Sequence, residues 1–326
     1  MIKRERNASA ATTLSLADVA WRLGERSLAE VLAARAGNAG ATPAQLSVAA
    51  AQQKFARVIR DGTLVCTLGA SLDAACRRFN PHYPIVIVLV SSRYLEIFAL
   101  WKRQLDLNVS DGQLLVIALD EAATETLRQT SQCTVVDLSY MLQFDSSGGM
   151  KDHSKRHMWV CRVMILKYFI SLGYTVISLD VDALLVGSLS RLLDTLPRFD
   201  ILAQRDRSIP MDVTRKLGFI LCCGFLMIRP TPETVTFMTE YLSQTILELD
   251  DQTALNHLLA ENTIANRLQG ALSLSFQSRG ISWVCPDPSL VSRDLNYGDV
   301  IRHFYAENQG LDEVMRRLGL SKTGAP

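Results

Sequence analysis

Asp180 and Asp182 flank Val181 where the apolar run Tyr174-Thr175-Val176-Ile177-Ser178-Leu179 gives out, and apolar residues resume as Ala183-Leu184-Leu185-Val186. In an extended backbone the two carboxylates point to one side and Val181 to the other. Two like charges that close, at the rim of a core, repel and raise each other's pKa unless a positive charge joins them. A hard divalent cation does this through its preferred oxygen ligands and keeps open positions for phosphate oxygens. The same spacing also fits a strand end with two solvated acids.

Four further features bear on chemistry. Asp250-Asp251-Gln252 opens a helical pattern in which Gln252 and Asn256 are four apart and share a face. One acid there satisfies the helix dipole; the second is free to meet a polar ligand. Lys155 leads into the helical pattern Met158–Leu172, and with Arg162 and Lys167 inside it gives that helix a face that is either basic and functional or simply solvated. Gly224 interrupts the apolar run Phe219–Ile228, where a glycine marks a bulge or a close backbone approach. His303, in Val300-Ile301-Arg302-His303-Phe304-Tyr305, fits a hydrogen-bonded core histidine or a ligand.

The elements that must position these residues alternate. Strands are expected at Thr63–Thr67, Ile85–Val90, Leu114–Leu119, Thr134–Asp137, Tyr174–Leu179, Phe199–Gln204, Phe219–Ile228 and Ile281–Cys285. Helices are expected at Ser91–Leu105, Thr124–Gln129, Met158–Leu172, Leu189–Leu196, from Thr231-Pro232 and from Asp250. This alternation implies an α/β domain over 62–326, with a mostly parallel sheet whose strand carboxyl ends carry the ligand. Residues 1–61 read as a helical N-terminal extension that packs or docks. The polar, glycine-containing loop Asp145–His153 reads as a lid.

The 326 residues suffice for one large α/β domain with extensions, or for two smaller domains. With 34 basic against 33 acidic residues, net charge is +1, which gives no electrostatic case for nucleic acid or an anionic membrane. No stretch approaches the roughly 18 apolar residues that span a bilayer. Seven cysteines, with no C-x-x-C pair and several inside apolar runs, fit a reducing compartment. A cytoplasmic protein is therefore expected, although a lumenal domain lacking its anchor would have the same composition. No G-x-G-x-x-G, G-x-x-x-x-G-K-[ST], H-E-x-x-H or G-x-S-x-G occurs. Those absences count against common dehydrogenases, P-loop NTPases, zincins and α/β hydrolases.

The order of motifs resembles the nucleotide-diphospho-sugar transferases of glycosyltransferase family 77, which have the GT-A fold. The likeness covers roughly residues 84 to 305. It rests on Ile85–Val90 with Tyr94–Trp101, on Leu115–Asp120, and on Lys167, Gly173-Tyr174-Thr175-Val176 and Asp180-Val181-Asp182. Cys223-Gly224-Phe225 with Arg229-Pro230-Thr231, Asp251-Gln252 with Asn256, and Arg302-His303 complete it. Phe304 and Tyr305 depart from the family, which has a small residue and Asn there, and Cys222-Cys223 stand where it carries Asn or Thr.

The resemblance implies a GT-A-like domain that transfers a sugar from a nucleotide diphosphate, UDP foremost, with retention at the anomeric carbon. It implies that Asp180, Asp182 and His303 hold Mn²⁺ or Mg²⁺. Lys167, Arg162, Asp180, Asn256 and Gly224 would contact the donor, and Asp251 and Gln252 would act at the reacting centre. The acceptor, whether glycan, protein or small molecule, is not indicated. A non-catalytic relative that binds nucleotide sugars is the alternative from another class.

Overall fold

The computed structural model describes residues 63–109, 113–130, 133–141, 152–196, 198–261, 264–266, 273–294, 297–304 and 311–317. The expected extension over 1–61 lies outside them. Of the expected lid, Asp152 and His153 are described, and they begin a helix. Leu68–Pro326 forms one compact unit.

A nine-stranded sheet organises this unit, in the order β3-β2-β1-β4-β7-β6-β10-β9-β8. The strands are β1 (Ile85–Val90), β2 (Gln113–Ala118), β3 (Thr134–Asp137), β4 (Val176–Leu179), β6 (Ile201–Asp206), β7 (Ile220–Ile228), β8 (Ile264–Asn266), β9 (Ser273–Ser278) and β10 (Ile281–Pro286). β7 and β9 run against the other seven, so the expected mostly parallel α/β sheet is present. A second, three-stranded sheet joins β11 (Val291–Ser292), β12 (Ile301–His303) and β5 (Ala183–Leu185).

The main sheet is buried on both faces, which is why β1 reads as an unbroken apolar run. Ile85 and Ile87 enter one core with helices α1 (Thr63–Cys76), α4 (Asp152–Ser171), α7 (Pro232–Glu248) and α8 (Asp251–Ala260). Val86, Val88 and Val90 enter the other with α2 (Leu95–Asn108), α3 (Glu121–Thr130), α5 (Leu189–Thr195) and α9 (Leu311–Arg317). α6 (Met211–Leu217) sits before β7.

The structure corrects the sequence at several points. Thr63–Thr67, expected as a strand, is the first turn of α1. The helix continues through Leu68, Leu72 and Ala75, whose helical spacing buries one stripe in the core and overrides the local β propensity. α6 is additional, and so is β9, which forms a hairpin with the expected strand β10. The turn Arg279–Gly280, with both residues at positive φ, closes that hairpin. The end signals were legible: Thr231 and Thr234 form a reciprocal capping box with Pro232 at the first helical position, and Asp250 caps α8 by accepting from Thr253 N.

The short strand β5 positions the site, because it follows Asp182 directly. The indole of the buried Trp101, from α2, donates to Ala183 O at 2.9 Å. Trp101→Phe keeps an aromatic in the core but leaves that carbonyl unpaired. We expect a loss of about 1–3 kcal/mol, measured by urea unfolding, with the far-ultraviolet spectrum unchanged.

Candidate functional site

Asp180 N donates to Gly224 O at 2.9 Å, extending the β4–β7 ladder by one step. The chain then turns, with Ala183 N bonded to Asp180 O at 2.9 Å. The two carboxylates thus converge across a turn, and not by alternation along an extended strand as the spacing implied. β5 next pairs with β12 so that His303 lies opposite Ala183. Phe304 N donates to Asp182 O at 3.0 Å and locks the register.

This pairing brings His303 Nε2 to 3.2 Å from an Asp182 oxygen and 3.9 Å from Asp180 Oδ2. One ligand atom from each of the three residues lies within 4.8 Å of the others. His303 is buried, while Asp180 and Asp182 are half-buried. Burial opposes the charged imidazolium of His303, but hydrogen bonds to Asp182 and Cys222 outweigh it and push its pKa up to about 10. The ring's other nitrogen, Nδ1, lies 3.0 Å from Oε1 of the buried Gln204.

Behind the pair lies Arg162, from the middle of α4 and 6% exposed. Its Nη1 donates to Asp180 Oδ1 at 2.8 Å, and its Nε donates to Asp251 Oδ2 at 2.5 Å. Nη2 also reaches Asp251. Asp250 performs the capping of α8, so the buried carboxylate of Asp251 turns inward instead. Burial pushes the Asp251 carboxyl up to about 6; Arg162 pulls it back down, and Asp250 and Asp180 add to the rise. Gly224 closes the floor, because a Cβ there would lie 2.1 Å from His303 Cε1 and 2.9 Å from Asp180 Oδ2. The glycine expected to allow a close approach does so for the chain's own site residues.

Residues 111–294 match the family model of the nucleotide-diphospho-sugar transferases. The chain belongs to this family. The match covers Arg162, Asp180, Asp182 and Asp251 and stops short of His303, whose place in the cluster rests on geometry; nor does it select family 77. Among solved structures, the chain is similar to the galactosyltransferase LgtC in complex with donor and acceptor sugar analogues. They share 16% identity over 53% of this chain and 70% of that one, with a TM-score of 0.37. Similar too is the glycosyltransferase GlyE of Streptococcus pneumoniae, at 18% identity over 54% and 43%, TM-score 0.36. Mouse xyloside xylosyltransferase 1 shares 13% over 55% and 82%, TM-score 0.35. At these scores the structural likenesses carry no argument of their own. No curated protein matches the chain.

In a transferase of this family the donor is a nucleotide sugar, and a divalent cation fits the cluster. Two carboxylates and one imidazole form a mixed oxygen–nitrogen donor set that a divalent cation can accept. The structure treats the remaining expected residues differently. Asn256 is buried, donates to Leu221 O and Gln252 O at 2.7 Å each, and accepts from Leu221 N at 2.7 Å. Both its N–H groups are engaged by backbone, so it clamps α8 to β7 and has no donor left for a nucleotide sugar. Gln252 donates to Ile209 O at 2.9 Å and accepts from Cys223 N at 3.4 Å, beside the site. Lys167 follows Arg162 by five residues, about 140° around the helix, and makes none of the cluster's ion pairs.

Gln204 was not singled out in the sequence, although a polar residue following Ile201-Leu202-Ala203 is a usable signal. A register shift between Ala203 and Gln204 sets it opposite Cys222, and such irregularities cannot be read from composition.

Two outcomes follow. Gly224→Ala forces His303 and Asp180 apart, and we expect a loss of divalent-cation binding that calorimetry detects. Arg162→Met leaves Asp251 buried without its counter-ion and costs about 3–5 kcal/mol. Arg162→Met combined with Asp251→Leu recovers most of that stability in thermal unfolding, because the uncompensated charge goes with its partner. An additive loss in the double variant would show that the pair is not coupled.

Proposed function

We propose that the chain is a metal-dependent glycosyltransferase that moves a sugar from a nucleotide diphosphate to an acceptor with retention of anomeric configuration. The observation that carries this reading is the convergence of Asp180, Asp182 and His303 beside the buried Arg162–Asp251 pair. Asp180, Asp182 and His303 would hold Mn²⁺ or Mg²⁺, with UDP-sugars the first donors to test. When bound, the cation acts as a Lewis acid on the departing diphosphate.

This chain's own residues do the rest. Arg162 orients Asp180 and keeps its own positive charge beside the diphosphate position. Asp251, held rigid by two guanidinium contacts, directs negative charge towards the oxocarbenium-like centre. Gln252 holds the wall between β7 and the loop at Ile209, where the donor's sugar would lie. The departing phosphate oxygen accepts the acceptor's proton, so no separate strong base is needed. These assignments follow the family's GT-A-like arrangement and extend it to this sequence.

The test is release of nucleoside diphosphate from a panel of nucleotide sugars. Turnover should need Mn²⁺ or Mg²⁺, stop with EDTA, and fall at least about 100-fold in Asp182→Ala. Asp182 is half-buried, so thermal stability should change little in that variant. Donor binding without turnover would favour a non-catalytic relative.

A further inference from the structure

Gln204 lies on β6 at 0% exposure, and Ile201, Leu202 and Ala203 before it are buried and apolar. An amide there needs a reason. Its Oε1 lies 3.0 Å from His303 Nδ1, while its Nε2 has no hydrogen-bond partner among the described residues. A buried amide with an unmet donor is less stabilising than an apolar side chain of similar size. Gln204 is therefore a poor choice for packing, and its contact with His303 is the feature that an apolar side chain could not reproduce.

The backbone supports that contact. The register shift between Ala203 and Gln204 leaves Ala203 opposite Leu226 and Gln204 opposite Cys222, so Cys223, Gly224 and Phe225 bulge past β6. Bulges re-aim side chains beside active sites. This one sets the Gln204 amide at the Nδ1 edge of the His303 ring, while the missing side chain of Gly224 leaves room for the ring's Cε1 and Nδ1 beside β7.

We propose that Gln204 is a positioning residue for the metal centre. Its carbonyl oxygen accepts the Nδ1–H of His303 and so directs the Nε2 lone pair at the cation held with Asp180 and Asp182. Partners of this kind fix a ligating ring's orientation and raise its basicity. This inference rests on the proposed metal site and deepens it.

The test reads Mn²⁺ alone, by calorimetry and by the electron paramagnetic resonance of free Mn²⁺, on the full chain. Gln204→Met keeps the volume and removes the acceptor; its Kd for Mn²⁺ should rise about 10- to 100-fold while its Tm stays level or rises. Gln204→Glu restores an acceptor and should bind Mn²⁺ within a few-fold of the unaltered chain. Wild-type affinity in Gln204→Met, with the unaltered chain binding Mn²⁺, overturns the inference and leaves the metal site standing. Equal loss in both variants with a lowered Tm assigns Gln204 a packing role and also overturns it. An unaltered chain that binds no Mn²⁺ overturns the metal site itself and the inference with it.

Discussion

Three carboxylates, Asp180, Asp182 and Asp251, meet at the end of a sheet buried on both faces, and everything around them answers to that charge. Two like charges ~4 Å apart at an effective dielectric constant near 20 repel by about 4 kcal/mol. That is a large share of the 5–15 kcal/mol that typically holds a domain together. Arg162 offsets two of the three with one guanidinium, which requires α4 to run beneath the sheet and present its midpoint there. His303 offsets the third, which requires β12 to return and pair with β5. The long helix and the small second sheet both bring positive charge to the same strand end.

That dependence explains what the sequence disclosed. The two acids stand at a break in apolar texture, and the buried strands β1 and β4 are largely apolar and rich in β-branched residues, so the α/β class and the location of the candidate site were legible. Asp251 was legible as well, because Asp250 beside it already satisfies the helix start. Arg162 was visible as one of the basic residues on α4, beside Lys155 and Lys167. The sequence could not rank it above Lys167, since the ranking depends on which side of the helix meets the sheet.

Other features depend on contacts that local pattern does not encode. Asn256 shares the polar character of a ligand-binding residue, yet its amide is engaged by the backbone of Leu221. Its spacing from Gln252 was read correctly, but the partner supplied by β7 lies 35 positions away. The turn at Asp180–Ala183 has no glycine or proline to announce it. The bulge that re-aims Gln204 likewise leaves no mark in composition. Each of these is fixed by strand register, which long-range pairing decides.

The residues of the cluster come from α4, the β4 end, β6, β7, α8 and β12, spread from Arg162 to His303. No local segment can form it, so the charge cluster exists only in the assembled fold. A cation bound to Asp180, Asp182 and His303 would therefore have affinity for the native state and little for the unfolded chain, and its binding free energy would add to folding stability. Of the three ligands His303 lies farthest along the chain, and β12 is held by a three-residue pairing with β5. The smaller of the two sheets among the described residues thus carries the imidazole that completes the candidate centre. The β5–β12 register delivers the imidazole, and a cation bound there would oppose its departure and so support the register in turn.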